Sequence, residues 1–109
     1  MTKLSEKQVG RAVSLVCFGE YVGFIHIGES DHCRIESDAV IVSRDGDERA
    51  LFPEPALGAL ALVLGAKVNG VTIDTALSVA LDNGCIVKAN LTPGYETIML
   101  SVDGQSEVY

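Results

Sequence analysis

Along residues 9–18, Val13, Leu15 and Cys17 alternate with Ala12, Ser14, Val16 and Phe18, apolar on both sides and enriched in β-branched residues. A two-sided apolar run of this length predicts a well-buried strand. Gly19-Glu20 predicts a tight connection. Residues 21–27 then place Val22, Phe24 and His26 on one face and Ile25 and Ile27 on the other, a period of two that predicts a hairpin with the first strand. Residues 28–32 form a polar break, and residues 33–37 and 39–43 predict two short strands. Arg44-Asp45-Gly46-Asp47 follows, with the Asp-Gly pair favoured at hairpin turns. The first half is expected to be a β-meander.

Pro53 and Pro55 end the strand pattern. Leu57, Leu60, Ala61 and Leu64 then recur at helical spacing with Gly65 as a stop, which predicts one short helix near residues 55–64. An interior Gly58 costs such a helix about 1 kcal/mol relative to Ala, so packing must hold it. A buried strand is the alternative there. Residues 67–74, 75–81, 85–91 and 95–102 predict four more strands, separated by turns at Asp82-Asn83-Gly84 and Thr92-Pro93-Gly94 and followed by one at Asp103-Gly104. This half is expected to be a second meander.

The halves resemble each other. Val9-Gly10 with Val13, Val16, Phe18, Val22 and Phe24 aligns at a constant offset with Leu64-Gly65, Val68, Val71, Ile73, Leu77 and Val79. Any two β-hairpins share some of this pattern, and a pseudo-repeat of residues 9–52 and 64–109 would share all of it. The expected fold is one α+β domain, mainly antiparallel β, in which two meanders form a half-barrel or sandwich with one short helix.

Composition narrows the class. A chain of 109 residues is long enough for one core and too short for two. Its 48% apolar and 21% charged residues supply enough apolar surface to offset the entropy of ordering. No apolar run approaches the roughly 18 residues of a bilayer span, and no signal-like apolar segment follows the charged start, so a cytoplasmic protein without membrane contact is expected. Cys17, Cys33 and Cys85 are odd in number and lack C-x-x-C spacing, which points to reduced thiols.

The net charge of −7 opposes direct binding to nucleic acid and favours a basic protein partner. Residues 29–54 concentrate it, with eight carboxylates against Arg34, Arg44 and Arg49. A solvated set of loop and edge-strand charges would look the same as a binding face.

Signatures of phosphate-binding loops, dinucleotide folds, acyl transfer and metalloproteases are missing, so neither an enzyme nor a cofactor is expected. His26, His32 and Cys33 lack the spacing of paired metal ligands, which favours a core-lining His26 and a loop His32. Cys33 and His32 would point to opposite faces of a strand and so cannot act as nucleophile and base. Asp45, Asp47 and Glu48 lack the periodic acidic pattern of a calcium loop.

Leu64-Gly65-Ala66-Lys67-Val68, then Leu77 to Val87 with Asp82-Asn83-Gly84 at its turn, then Tyr95-Glu96-Thr97-Ile98-Met99-Leu100 carry a further signal. Over the C-terminal two-fifths the chain resembles a family of small, acidic, β-rich bacterial proteins, some of them immunity proteins of contact-dependent growth inhibition systems. It departs from that pattern at Thr97-Ile98, where an aromatic is expected. The resemblance implies a protein that binds and neutralises a cognate toxin domain, a nuclease and in particular a ribonuclease, by occluding its basic groove. The carboxylates that would face the toxin are Glu29, Asp31, Glu36, Asp38, Asp45, Asp47 and Glu48. Tyr95 and Glu96 are read as structural, at the start of a strand. The alternative is a small-molecule-binding or minor enzymatic domain with a cavity between the sheets lined by Phe24, His26 and their neighbours.

Overall fold

Alternation of side chains assigns each strand an inner face, and the hydrogen-bond register then decides which strands share a sheet. The computed structural model describes residues 6–19, 22–91 and 97–109. Its elements are β1 (Val13–Phe18), β2 (Gly23–Ile27), β3 (Asp31–Ile35), β4 (Ala39–Val42), β5 (Glu48–Phe52), α1 (Ala59–Val63), β6 (Val68–Ile73), β7 (Ala76–Leu81), β8 (Ile86–Asn90), β9 (Ile98–Val102) and β10 (Gln105–Val108). All strand pairs are antiparallel, in two five-stranded sheets ordered β1-β2-β3-β9-β10 and β5-β4-β8-β7-β6. Among these elements the fold is mainly antiparallel β with the short helix α1 between β5 and β6, the expected α+β class. Among the described residues no helix is long and apolar enough to cross a membrane.

The strands are shared out differently from one meander per sheet. A three-stranded meander leaves the outer edge of its last strand unpaired, which is costly wherever that edge is buried. Here the edge of β3 is met by β9, with Cys33 opposite Leu100, and the edge of β8 is met by β4, with Val87 opposite Ile41. Each half therefore gives three strands to one sheet and two to the other. Exchanging β1–β5 with β6–β10 converts one strand order into the other.

The sheets join at one corner through reciprocal bonds. Val13 N–H donates to Ala66 O and Val68 N–H to Arg11 O, both at 2.8 Å, around the bridge Ala12↔Lys67. β1 and β6 carry matching register breaks, at Val13/Leu15 and Val68/Gly70. The aligned pairs Val13/Val68, Val16/Val71 and Phe18/Ile73 thus occupy equivalent places. The constant offset fails in the next strand, because Val16 opposes Ile25 whereas Val71 opposes Val79. Ile25, not Phe24, is the equivalent of Val79. A slip of one residue turns every side chain to the other face, so Phe24 points outward.

The core lies between the sheets. Ile25, Ile27, Ile35, Ile41, Leu77 and Leu100 have no exposed surface. Removing one such side chain costs about 2–5 kcal/mol, the sum of lost burial and the cavity left behind. Gly23 belongs to this layer by default of a side chain: a Cβ there would lie 2.5 Å from the Phe52 ring, which fills the space. Gln8 is fully buried, and among the described residues its amide has only the Cys33 thiol as a polar side-chain neighbour.

Helix α1 packs against β4 and β5 and buries Ala59 and Val63, one turn apart. Gly58 is not in its interior. It caps the N-terminus with φ 80°, a left-handed conformation that glycine adopts without penalty, so the helix starts late and Leu57 stands outside it, 97% exposed. Residues 31 and 32, read as part of a polar break, open β3 instead. β10 follows the Asp103-Gly104 turn and is mostly exposed. Glu20, Tyr21, Thr92, Pro93, Gly94, Tyr95 and Glu96 lie outside the described residues.

Candidate protein-binding surface

The β4–β5 hairpin is built to hold carboxylates in the open. Ser43 N–H donates to Asp47 O at 2.8 Å and Gly46 N–H to Ser43 O at 2.9 Å, which closes the turn. The Ser43 hydroxyl donates to the Asp45 carboxylate, and the Asp47 N–H approaches it at 3.4 Å. These donors, the hydroxyl first, hold Asp45 below the usual carboxylate range, so it stays ionised well into acid. Asp45 and Asp47 border an open concavity of about 490 Å³ with Arg44, Arg49, Leu62 and Cys85.

Glu48 opens β5 opposite Val42 and shares a depression of about 250 Å³ with Asp38, Val40, Lys88 and Asn90 on the outer face of the second sheet. Asp38 also lines a crevice of about 300 Å³ with Glu36, Ser37, Val22, Gly23, Phe52 and Pro53. Phe52 supplies an apolar floor and the two carboxylates a rim. Asp38 belongs to both hollows, so Glu36, Asp38, Glu48, Asp47 and Asp45 form one track from the crevice to the hairpin tip. All five are exposed. Of the five, only Glu36 is in a salt bridge among the described residues, with Arg34 at 3.8 Å, and the more distant charge of Arg49 helps to hold Asp45 ionised.

The other two predicted carboxylates are elsewhere. Glu29 is exposed in the β2–β3 turn, beside Arg11, Ser30 and Asp103. Asp31 is fully buried, so its expected place at a toxin interface is corrected. It pairs with Arg11 and accepts the Asp103 N–H at 3.0 Å, tying the N-terminal segment and the β9–β10 turn to β3. A buried carboxylate needs such partners.

The outer face of the first sheet carries different chemistry. The register sets His26 opposite His32 and Leu15, Phe24 opposite Arg34 and Cys17, and Met99 opposite Arg34 and Val108. Phe24, His26 and His32 cluster, with ring centroids 5.6 to 6.2 Å apart. Partial burial lowers the affinity of His32 for a proton, and His26 and Arg34 lower it further. Two expectations are thereby corrected: His26 does not line the core, and His32 sits in a strand rather than a loop. Nor do Phe24 and His26 line a cavity between the sheets, where Ile25, Ile27 and their partners fill the space. Cys33, on the inner face next to His32, is fully buried, and burial pushes its thiol up to about 12. All three cysteines are unpaired.

Sequence reasoning missed the crevice. A glycine inside a strand marks a close approach of another group, so Gly23 carried the signal, but Phe52 as the group that approaches is visible only in three dimensions. Among the described residues no three His, Cys, Asp or Glu side chains gather as metal ligands. Comparison with protein-family models, with curated proteins and with solved structures gives no match to this chain.

Proposed function

We propose that this chain is an immunity protein that binds a basic toxin domain in the cytoplasm and neutralises it by covering its active-site groove. The toxin is a nuclease, with a ribonuclease favoured, because such enzymes need a cationic groove for a polyanion and a row of carboxylates can occupy it. The observation that carries the reading is the track from Glu36 to Asp45, five exposed carboxylates of which only Glu36 is in a salt bridge among the described residues. A partner Lys or Arg could lay its apolar stem on Phe52 and place its charge between Glu36 and Asp38. Glu29 is peripheral in this reading and Asp31 is structural.

The test is a pull-down against the product of the neighbouring reading frame, with nuclease activity measured with and without this protein. A salt-sensitive complex that abolishes cleavage is expected. Replacing Asp45, Asp47 and Glu48 together by Lys should slow association by about tenfold or more, since steering acts mainly on the on-rate. Glu29→Lys should change it far less. Binding unchanged in the triple variant removes the hairpin from the interface, and absence of any complex removes the reading for that pair.

A further inference from the structure

The concavity beside the β4–β5 hairpin collects charges of both signs and keeps them apart. Arg44, Asp45, Asp47 and Arg49 all border its volume of about 490 Å³, yet none of the four forms a salt bridge with another. We propose that this hollow binds a small zwitterion with an apolar side chain, the chemistry of a free apolar α-amino acid, its carboxylate on the arginines and its ammonium on the aspartates. Such a site stands independently of toxin binding, and its test needs no partner protein.

The chain around the hollow fixes its walls. Arg44 lies against the turn between β7 and β8, where a Cβ on Gly84 would come within 2.6 Å of the arginine Nε. Arg49 donates from Nη1 to Leu57 O at 3.2 Å, and a Cβ on Gly58 would lie 2.9 Å from that nitrogen. Both guanidinium groups thus sit in places that a side chain on the glycine would take. The Ser43 hydroxyl holds the Asp45 carboxylate. Asn83 closes the base: it donates to Leu62 O at 2.8 Å and accepts the Cys85 N–H at 3.0 Å, which ties the end of α1 to the β7–β8 turn. Hairpin, helix and turn therefore meet in one place, and Leu62 and Cys85 give it an apolar floor.

The charges have capacity to spare. A guanidinium carries five N–H donors. Arg49 spends one on Leu57, and Arg44 donates to no acceptor among the described residues. The charge of Arg49 reaches Asp45 although the two are not in contact. A molecule that bears an ammonium and a carboxylate on one carbon bridges such a gap. A simple anion would be repelled by the aspartates and a simple cation by the arginines, whereas a zwitterion is attracted by both pairs. Exposed ion pairs are individually weak, so the apolar group on the floor decides the affinity. The volume falls within the roughly 300–1,000 Å³ of small-molecule sites.

Heteronuclear NMR titration of the full chain with L-leucine tests this. Saturable shifts are expected at the amides of residues 43–49 and 83–85, with Kd on the order of 1 mM. Isoamylamine, which lacks the carboxylate, and 4-methylpentanoate, which lacks the ammonium, should each bind about tenfold or more weaker. Alanine should do the same, because each methylene taken off the floor costs about fourfold. Arg44→Gln and Asp47→Asn, both at exposed positions, should each weaken leucine binding by about fivefold or more, while Lys88→Gln on β8 should leave it unchanged. Unshifted amides elsewhere verify that each variant is folded. No saturable shift with leucine up to about 20 mM overturns the proposal, as do shifts centred outside the hollow or binding indifferent to both substitutions. Equal binding of the amine or of the acid overturns recognition of a zwitterion, and equal binding of alanine overturns the role of the apolar floor.

Discussion

Where the second half of the chain buries Val63, Leu77, Cys85 and Val87, the first half places Gln8, Gly23, Asp31 and Cys33 at the equivalent points. The equivalence is read from hydrogen bonds and register. Arg11 N–H donates to Gln8 O as Ala66 N–H does to Val63 O, both at 3.2 Å. Phe18 opposes Gly23 as Ile73 opposes Leu77, and Ile25 opposes Cys33 as Val79 opposes Val87. One path is thus held in two ways. The second half relies on apolar burial, which is tolerant of detail, and the first on specific partners: an ion pair for Asp31 and an aromatic ring for Gly23.

Moving second-half residues into the first half should break this contrast where a partner is specific and sharpen it where none exists. Asp31→Cys should have the largest effect, a loss of about 3 kcal/mol, because it leaves Arg11 with only the Asp103 carboxylate at 3.9 Å and the Asp103 N–H without its acceptor. Arg11 is 38% exposed and partly rehydrates, which keeps the loss at the lower end of the range for a broken buried pair. Urea denaturation would measure it; a loss below that of an ordinary surface substitution would mean the ion pair is dispensable.

Gly23→Ala comes next, at about 2 kcal/mol, since its methyl would overlap the Phe52 ring. A crystal structure of the variant should show that ring displaced from its present position. Gln8→Val works in the opposite direction. Its buried amide has only the weakly polar Cys33 thiol beside it, so the exchange should still raise stability, by up to about 1 kcal/mol, visible as a higher thermal midpoint.

Cys33→Val should be the mildest, with its main effect at alkaline pH. The folded thiol holds its proton to about 12 against a reference of 9.0. The unfolded chain releases the proton first, so this contribution is intact below pH 9 and falls as pH rises toward 12. Urea midpoints from pH 8 to 10 should decline less in the Val variant than in the parent. Equal slopes would show that another group governs the alkaline loss.

Much of this architecture could be read from single residues. Ile25 with Ile27, and Leu77 with Val79 and Leu81, announced their inward faces by a period of two, and Asp45-Gly46 and Asn83-Gly84 announced their turns. Partnership between distant strands could not be read, because alternation names a face and never a neighbour; β3 meets β9 only because both edges need one. Gly58 misled through its spacing among leucines, when its backbone angle was what mattered. Of the candidate surface, the charge was legible and its geometry was not. Asp31 shares its parity with Cys33 and Ile35, which was a sign of its inward direction, whereas the joining of Glu36 to Glu48 through Asp38 depends on the chain crossing between sheets.

That crossing also constrains how the molecule can be made. β3 acquires its outer neighbour only with β9, and β4 only with β8, so a ribosome that has released the first half has exposed five strands and completed neither sheet. The nascent chain must wait for β8 and then β9 before its buried edges close, and until then its protection rests on charge and on whatever attends it at the exit tunnel.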